Sequence, residues 1–415
     1  MMREYDVIVV GGGLAGLIAA AGAAGRNKKV LMLTKGAGTL AIGGGSVDLL
    51  GYVGEGRPLA SPEQGLTELP DTHPYSKIGR AGIQAALDYF KTVCRQEGYE
   101  YIGSPEKNYW VPTAAGTLKP TCLIPKTMDT APLKAAEKIF VAGFHRLKDY
   151  YPQIVVQGLA KIPVYAKKEF SVVWLDTGMH EGRDITALEV ARWLDTEAGR
   201  RSCAEQLKKA LPPGAVVIVP PVLGTKPSYA VAEELEKTGG YRLVESTGLP
   251  PAIIGLRLRN LWLNFAKKSG VTVVENAAVT GSVVENGRCI AIKTGNLDRE
   301  RTYRAQSFVL TTGGFFGGGL GSQPGRATEA VFDLPVAAPA NPEEWGAPQL
   351  FGTRQPFAQI GIVADGRMAP VDAAGQPILS NVFVAGRNLA GYDFSFEKSG
   401  NGVAIVTGYQ ASLSV

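Results

Sequence analysis

The pattern of apolar and polar positions begins with an uncharged run, Val7–Ala24. In this run four β-branched residues, Val7 to Val10, precede three glycines and a stretch rich in alanine and leucine. That order predicts a buried strand, a tight turn and a helix. The run is long enough to cross a membrane, and its small-residue tail is similar to the cleavage region of an export signal. Because Glu4 and Asp6 stand where a signal has basic residues, we interpret the run as a strand-turn-helix unit.

The pattern changes between about Glu63 and Glu245. Apolar periodicity there predicts helices over Ile78–Glu97 and Asp184–Leu211 and a strand over Ala215–Val219. We therefore expect an inserted α+β cap or substrate domain at residues 63–245, within an α/β domain made of residues 1–62 and 246–415.

After the insert, helical spacing of apolar residues predicts a helix over Gly255–Ser269. The segment 271–294 predicts a β-hairpin that turns at Asn286 and Gly287. Short apolar runs, Phe308–Thr312 and Asn381–Ala385, predict buried strands that end in glycines, and a last helix is predicted to begin near Val403.

The glycines after the first strand have the spacing GxGxxG, at Gly11, Gly13 and Gly16, with Leu14 and Ala15 between the last two. In this context the first glycine permits a tight turn, the second leaves room for a pyrophosphate and the third lets the helix pack on the strand. A helix N-terminus also attracts anions. These residues predict a Rossmann-like site for a cofactor that contains ADP.

The second predicted strand, Lys29–Thr34, ends where this fold often places an acidic residue on a ribose. Thr34 occupies that position and is followed by Lys35. The hydroxyl can still bind a ribose, but the usual negative charge is absent.

Composition excludes several classes of protein. The 415 residues are 45% hydrophobic with a formal charge of +5, and the cations occur as scattered pairs without interleaved aromatic residues, so we expect no nucleic-acid partner. The four cysteines lie far apart and form no CxxC pair, which predicts no metal site and indicates small buried side chains in a reducing compartment. No other apolar run approaches the length of a membrane span.

Three motifs, GGGLAG, VLTTGG and NVFVAGR, resemble in their order the fingerprint of flavoproteins of the fumarate reductase and succinate dehydrogenase type. The resemblance implies an FAD/NAD(P)-binding flavoprotein fold and places Thr34 and Lys35 at a Ser/Thr-Lys pair of that group. Together with the glycine motif, the residues that we expect to bind the flavin are Gly11, Gly13, Leu14, Ala15, Gly16, Thr34, Lys35, Gly44, Gly45, Ser46, Val279, Thr312, Gly313, Gly386, Arg387, Asn401, Gly402 and Val403.

Among these residues, Gly44 to Ser46 are expected to line the flavin ring, and Val279 lies in the segment that holds adenine in the wider group. The alternatives are a surface loop and a simple sheet edge. Asn401 to Val403 are expected at a helix N-terminus near flavin N1 and O2. Arg387 is open to three interpretations: it binds a flavin phosphate, binds a substrate phosphate, or forms an ion pair.

Nearly the full length of the chain is similar to the B subunit of the anaerobic glycerol-3-phosphate dehydrogenase, through GGGSVDLL, GTLKPT, LPPAIIGLRLRN and TTGGFFGGG. This resemblance implies oxidation of sn-glycerol 3-phosphate to dihydroxyacetone phosphate, with electrons passed to the quinone pool. It also implies two partners, a catalytic A subunit and an iron-sulfur C subunit. The chain would then be cytoplasmic and peripheral at the inner face of the cell membrane, with membrane contact only through a partner.

Two departures from the fumarate reductase group bear on the chemistry. Glu397 stands at the position of that group's substrate-binding arginine, and a carboxylate there would repel a dicarboxylate. No histidine lies between Gly36 and Leu50, where those enzymes attach flavin covalently, so we expect a non-covalent flavin. The glycine motif favours FAD, because FMN has no pyrophosphate, whereas the B subunit family is usually assigned FMN.

The catalytic residues stay unassigned from the sequence. His73, His145 and His180 lie in no recognisable catalytic motif, and a lone histidine is more often structural. The insert's cations Lys119, Lys126 and Arg183 are candidates for a phosphate. Two hypotheses remain open: the chain has its own substrate pocket, or its flavin relays electrons to a partner that oxidises the substrate. A third hypothesis is a separate, fumarate-reductase-like flavin reductase that acts on an unsaturated acid, and Glu397 argues against it.

Overall fold

The computed structural model describes residues 4–179, 182–296, 299–349 and 353–415. Within these residues the chain forms nineteen strands and eleven α-helices. The strands are β1 (Glu4–Val10), β2 (Val30–Thr34), β3 (Tyr52–Val53), β4 (Arg57–Pro58), β5 (Tyr101–Gly103), β6 (Tyr109–Pro112), β7 (Leu118–Thr121), β8 (Leu123–Pro125), β9 (Lys138–Phe144), β10 (Glu169–Leu175), β11 (Val216–Val219), β12 (Arg242–Glu245), β13 (Thr272–Glu275), β14 (Val279–Glu285), β15 (Arg288–Asn296), β16 (Arg299–Leu310), β17 (Leu320–Gln323), β18 (Arg326–Glu329) and β19 (Val382–Val384).

The helices are α1 (Leu14–Ala24), α2 (Pro62–Gly65), α3 (Pro74–Gln96), α4 (Ala131–Ala135), α5 (Pro152–Leu159), α6 (Ala187–Leu194), α7 (Glu197–Ala210), α8 (Ala230–Gly239), α9 (Ile253–Lys268), α10 (Phe394–Glu397) and α11 (Gly400–Ser414). Among the described residues, none of these helices has the length and apolar character that crossing a bilayer requires.

The chain divides into two compact units. The first contains Met1–Thr39, Val47–Val93 and Trp262–Val415, and the second contains Leu40–Ser46 and Cys94–Leu261. The predicted insert, residues 63–245, differs from the second unit at both ends, because α3 and α9 each run across a boundary between the units. A continuous helix leaves no break in composition, so these boundaries have no signal in the amino-acid pattern. The division into a flavin domain and a cap stays a prediction.

The first unit is built on a seven-stranded sheet in the order β13-β2-β1-β16-β15-β14, with β19 also paired to β16. Strands β13, β2, β1, β16 and β19 are parallel, and the β14–β15 hairpin continues the sheet in antiparallel fashion. Helix α1 packs on α11 through small residues, since a Cβ atom at Gly408 would lie 2.5 Å from Ala15 O. This architecture confirms the predicted α/β class.

The second unit contains a four-stranded sheet in the order β10-β9-β11-β12, and every strand pair in it is parallel. Its core includes Ile139, Val141, Val217, Ile218 and Leu207, each at most 1% exposed. The sheet is of the α/β kind, so the expected α+β character of the insert is limited to the short antiparallel pairs β5–β8 and β6–β7.

Several predicted elements are confirmed with changed bounds. The turn of the hairpin has the predicted left-handed residues, Asn286 (φ 49°) and Gly287 (φ 71°). The helix predicted over Asp184–Leu211 is wrong as a single element, because α6 ends at Leu194 and Thr196 caps the start of α7 by accepting from Gly199 N–H at 3.0 Å. The strand predicted over Phe308–Thr312 is confirmed only for residues 308–310, which end the twelve-residue β16.

Candidate functional site

Four turns lie together at the carboxyl edge of the first unit's sheet. The strand ends are in register, because Val10 pairs with both Leu33 and Leu310, and Leu310 pairs with Val384. The predicted residues Gly11 and Thr34 follow directly after Val10 and Leu33, and Thr312 and Gly386 come two residues after Leu310 and Val384. Ligands of doubly wound sheets bind at this edge.

The turn between β1 and α1 brings backbone close to backbone. Gly11 has φ +119°, and a Cβ atom there would lie 2.3 Å from Thr311 O. A Cβ atom at Gly16 would lie 2.1 Å from Gly11 O, so both positions require glycine. Gly13 differs, because a Cβ atom there would meet nothing within 4 Å. The glycine roles that the sequence predicted for the turn and for helix packing therefore have a steric basis, and Gly13 faces open space.

The N-terminus of α1 carries no compensating negative charge. Gly13 occupies the N-cap without a side-chain hydrogen bond, and the first turn holds no acidic residue. Leu14 and Ala15 are buried, at 4% and 6% exposure, so their side chains pack inward. The partial positive charge of the helix is consequently directed at the open space beyond Gly13.

Thr34 ends β2 and is 3% exposed, and Lys35 is exposed. The Thr34 hydroxyl donates to Gly36 O at 2.5 Å and accepts from Gly36 N–H at 3.2 Å. Ala277 N–H donates to Thr34 O at 3.0 Å, which brings the segment before Val279 to the end of β2. Val279 itself begins β14, the edge strand, where it pairs with Thr294. The hydroxyl thus organises this turn in addition to any contact with a ribose.

A buried asparagine that the sequence reasoning missed links two of the turns. The side-chain amide of Asn388, which is 0% exposed, accepts from Gly313 N–H at 2.8 Å and donates to Thr312 Oγ1 at 3.0 Å. Gly386 has φ +74° and donates its N–H to Thr407 Oγ1 at 2.9 Å. The only sign of this role in the amino-acid sequence is that a polar residue, Asn388, follows the glycine and arginine of NVFVAGRN.

Arg387 follows Gly386, and its guanidinium lies 3.2 Å from the centroid of the Phe394 ring. Burial raises the pKa of the neighbouring Tyr392, and the charge of Arg387 partly opposes that rise. Within the described part of the chain, Arg387 Nη1 is buried without a hydrogen-bond partner, and Arg387 forms no ion pair. A buried donor without an acceptor is costly, so an anionic ligand group would satisfy it. Of the three interpretations, the two that involve a phosphate agree best with this geometry.

Helix α11 begins at Gly400, and Asn401, Gly402 and Val403 form its first turn. Gly402 N–H donates to Asp48 O at 3.1 Å, and Val403 N–H donates to Ser399 O at 2.8 Å. Both donors therefore have acceptors in the protein, and these two N–H groups do not point freely at a ligand. The first turn of α11 holds no acidic residue, so any stabilisation of a reduced flavin from this terminus comes from the helix dipole.

In the second unit, Gly45 and Ser46 are buried and Gly44 is half-buried. Gly45 has φ +72°, its carbonyl accepts from the Tyr101 hydroxyl at 2.7 Å, and Ser46 Oγ accepts from Lys119 Nζ at 3.0 Å. This segment is therefore anchored by side chains and is not a plain surface loop.

The insert's other candidate cations have carboxylate partners. Lys126 Nζ lies 2.8 Å from Glu100, and Arg183 Nη2 lies 2.7 Å from Glu189. The pKa of Glu189 is lowered to about 2, first by Arg183 and then by Thr186. Each cation is thus partly neutralised by a carboxylate, which makes both weaker candidates for a phosphate.

Two of the three histidines lie within the described residues, and their environments differ. His145 is exposed and stacks on Trp174, with ring centroids 5.1 Å apart, and His180 lies outside the described residues. His73 is fully buried and reaches the carboxylate of Glu397, at 3.3 Å. Glu397 lines a polar cavity of about 310 Å³ in the first unit, together with Arg354.

A model of the FAD binding domain family matches residues 6–403 of the chain. The chain is similar to the B subunit of the anaerobic glycerol-3-phosphate dehydrogenase of Vibrio cholerae serotype O1, with 29% identity, covering 99% of this chain and 96% of that protein. A protein of the same name from Pectobacterium atrosepticum is also 29% identical, over 97% of this chain and 96% of its own length. Among solved structures, 3-ketosteroid delta1-dehydrogenase from Sterolibacterium denitrificans matches with a TM-score of 0.45 and 14% identity, covering 99% of both chains.

Proposed function

Because the chain belongs to the FAD binding domain family, it is a flavin-dependent oxidoreductase, and we propose that it is the B subunit of an anaerobic sn-glycerol-3-phosphate dehydrogenase. In this proposal glycerol 3-phosphate is oxidised to dihydroxyacetone phosphate, and the electrons pass to the quinone pool. The observation that carries the proposal is the similarity to relatives of that name over 99% of this chain and 96% of theirs.

The cofactor that we propose is FAD, bound without a covalent link. The open space beyond Gly13 and the uncompensated N-terminus of α1 suit a pyrophosphate, which FMN lacks. Within the described residues, Arg387 Nη1 is a buried donor with no hydrogen-bond acceptor, and a phosphate oxygen of the cofactor would supply one. When bound, a flavin supplies a ring nitrogen that can take a hydride from an alcohol carbon. The chain's own residues supply binding, orientation and charge around it.

The proposed partners are a catalytic A subunit and an iron-sulfur C subunit. The four cysteines, at positions 94, 122, 203 and 289, are all buried. Their wide spacing in the sequence does not have the form of an iron-sulfur motif, which suits a protein whose electrons leave through clusters on another chain. The proposed location is the cytoplasmic face of the membrane, with contact made through the partners.

Two versions of this function differ in where the substrate is oxidised. In the first, this chain has its own substrate pocket, for which the polar cavity beside Glu397 is the candidate. In the second, the chain is a relay whose flavin receives electrons from the A subunit. Reduction of fumarate is disfavoured, because Glu397 stands at the position where the fumarate reductase group has its substrate-binding arginine, and a carboxylate cannot bind a dicarboxylate as an arginine does.

An anaerobic titration with sn-glycerol 3-phosphate tests the proposal, with the visible absorbance of the flavin followed in the purified chain and in the chain mixed with its A subunit. Bleaching in the chain alone would indicate an enzyme with its own pocket, and bleaching only in the mixture would indicate a relay. Bleaching in neither sample would contradict the proposed function.

A further inference from the structure

Four aromatic side chains of the first unit form a cluster on the segment after β16. The ring centroids of Phe315 and Trp345 lie 6.2 Å apart, as do those of Phe316 and Phe357. Phe316 is 79% exposed, and the other three side chains are half-buried. Neighbouring aromatic side chains that reach the surface together, unlike a single exposed one, are typical of a contact site for another molecule. We call these four residues the aromatic cluster.

The aromatic cluster is joined to the turn that contains Gly313. Residues Phe315–Gly317 form a short 3-10 helix directly after Gly314, and Gly317 N–H donates to Gly314 O at 3.0 Å. A Cβ atom at Gly314 would lie 3.2 Å from Arg387 O, so this segment packs on the backbone of Arg387. Gly313 and Arg387 are among the residues that we expect to bind the flavin. A partner that covers the cluster would therefore lie beside the cofactor.

An apolar cavity of about 350 Å³ adjoins the aromatic cluster within the first unit. Its lining includes Pro339, whose carbonyl accepts from Trp345 Nε1 at 3.0 Å, and Pro356, the residue before Phe357. Most of its other lining side chains are apolar, among them Ile362, Met368 and Leu389. A cavity of this size and lining accommodates apolar groups of another molecule.

The surface that borders the aromatic cluster is acidic. The segment 327–353 contains four acidic residues and no lysine or arginine, although the whole chain has a formal charge of +5. Glu329 is buried and accepts from backbone N–H groups, whereas Glu343 and Glu344 are exposed and directly precede Trp345. The carboxylates of Glu343 and Glu344 thus lie at the edge of the cluster.

The sign of this charge selects the class of partner. Glu343 and Glu344 would repel an anionic membrane surface. In a symmetric contact between two copies of this chain, both copies would present the same carboxylates, and like charges that face each other oppose association. A different protein with basic side chains around an apolar contact complements both the carboxylates and the aromatic cluster.

We propose that the aromatic cluster, the adjoining apolar cavity, and Glu343 and Glu344 form a docking surface for a different protein chain whose contact surface is apolar with a basic rim. Phe316 is the central contact and enters an apolar pocket of the partner. Glu343 and Glu344 pair with basic side chains at the rim. The inference rests on the proposed function in one respect, because the A subunit of that function is the partner to be tested.

Biolayer interferometry measures docking apart from turnover. The flavin-loaded chain is immobilised, and the purified A subunit of the same dehydrogenase is added without substrate, in buffers of increasing salt concentration. We expect the A subunit to bind and its association rate to fall several-fold as the salt concentration rises, because opposite charges accelerate the encounter.

Variants separate this surface from the rest of the chain. Phe316→Asp should weaken binding of the A subunit at least about tenfold, because it replaces an aromatic anchor with a charge. Tyr151→Asp makes the same kind of change at a 54% exposed aromatic residue of the second unit and should leave binding unchanged. Glu344→Lys should weaken binding several-fold, whereas Glu285→Lys, at an exposed glutamate of β14, should not. All four variants should keep the flavin affinity of the unmodified chain.

Binding of the A subunit that Phe316→Asp and Glu344→Lys leave unchanged would overturn the inference. A loss of flavin affinity in Phe316→Asp would also overturn it, because the aromatic cluster would then contact the cofactor. The same holds if Phe316→Asp abolishes self-association of the chain in sedimentation velocity, or its binding to vesicles of anionic lipid, because the surface would then belong to a second copy or to a membrane.

The inference and the proposed function can fail separately. If sn-glycerol 3-phosphate bleaches the flavin of the chain alone and the A subunit does not bind, the inference fails and the dehydrogenase function stands. If the A subunit docks as expected and no sample is bleached, the proposed function fails and the docking surface stands.

Discussion

At the scale of single residues, the second unit holds two charged side chains that are almost fully buried, Glu245 and Arg257, at 0% and 1% exposure. Two hydrogen bonds of 2.7 and 2.9 Å join them, and Thr127 and Leu223 supply further donors to the carboxylate. Burial alone would raise the pKa of Glu245, but Arg257 and the other donors outweigh it, and the net pKa is lowered. The charge and the hydrogen bonds of each side chain are satisfied only while the other is present.

Replacement of Arg257 with methionine leaves the carboxylate buried without its cation. We expect the free energy of unfolding to fall by about 3–5 kcal/mol, the usual cost of breaking such a pair from one side. Arg201→Met is the matched control, because the Arg201–Glu197 pair is exposed on both sides and should contribute nothing measurable. Urea unfolding of the two variants compares them, and equal stabilities would contradict a structural role for the buried pair.

The lowered pKa of Glu245 also predicts a dependence of stability on pH. Its folded-state pKa is below its unfolded value of about 4.3, so its contribution is complete above that pH and is lost as the pH falls through the folded value. E245Q should therefore lose less stability than the unmodified chain when the pH is lowered from about 4.3 toward 3. Urea midpoints measured across this range test the difference, and parallel curves would show that the carboxylate does not contribute.

At the scale of elements, the first turn of α11 packs tightly against Tyr75 and Asp48. A Cβ atom at Gly402 would lie 2.3 Å from the Tyr75 hydroxyl and 2.7 Å from Asp48 O, whereas one at Gly400 would meet nothing closer than 3.6 Å. Gly402→Ala should therefore destabilise the chain by about 1–3 kcal/mol, as overpacking does. Gly400→Ala should have no such effect, since alanine favours the helix there. Thermal unfolding compares the two variants, and equal unfolding midpoints would contradict this prediction.

Gly13, in the turn between β1 and α1, is a position where a substitution should change cofactor binding without impairing folding. Gly13 has φ −77°, which any residue adopts, and aspartate is a preferred N-cap residue. Gly13→Asp should thus preserve or raise stability while its carboxylate occupies the open space and repels a phosphate, lowering flavin affinity at least about tenfold. Gly346→Asp adds the same charge at an exposed glycine and should bind flavin normally. Fluorescence titration of the flavin-free variants measures both affinities.

Local signals decided which elements could be predicted. The glycine motif with its flanking strand and helix, and the Asn286–Gly287 turn, depend on neighbouring residues and were found. The first half of β16 was missed, because its polar residues carry no apolar pattern and its partner β15 is required to form it. The apolar pattern does not predict the break between α6 and α7, because this break depends on a single hydroxyl, that of Thr196, which caps α7.

At the scale of the whole molecule, the sequence identified the turns of the carboxyl edge but not the contacts that join distant segments. His73 and Glu397 are 324 positions apart, and no periodicity relates them. The same applies to Asn388, whose role depends on the return of β19 beside β16. Motifs with a fixed internal spacing are visible in a single sequence, whereas side-chain networks assembled by the tertiary fold are not.

The proposed cofactor gives a prediction for the complete chain. With no histidine between residues 36 and 50 to form a covalent link, acid precipitation should release all of the flavin, and its mass should be that of FAD. Addition of FAD to the flavin-free chain at a hundredfold excess over its dissociation constant should stabilise the folded state by about 2.7 kcal/mol. FMN at the same concentration should stabilise it less, because it cannot fill the space beyond Gly13 with a pyrophosphate. Thermal midpoints measured with each flavin test this, and a larger shift with FMN would assign the site to the smaller cofactor.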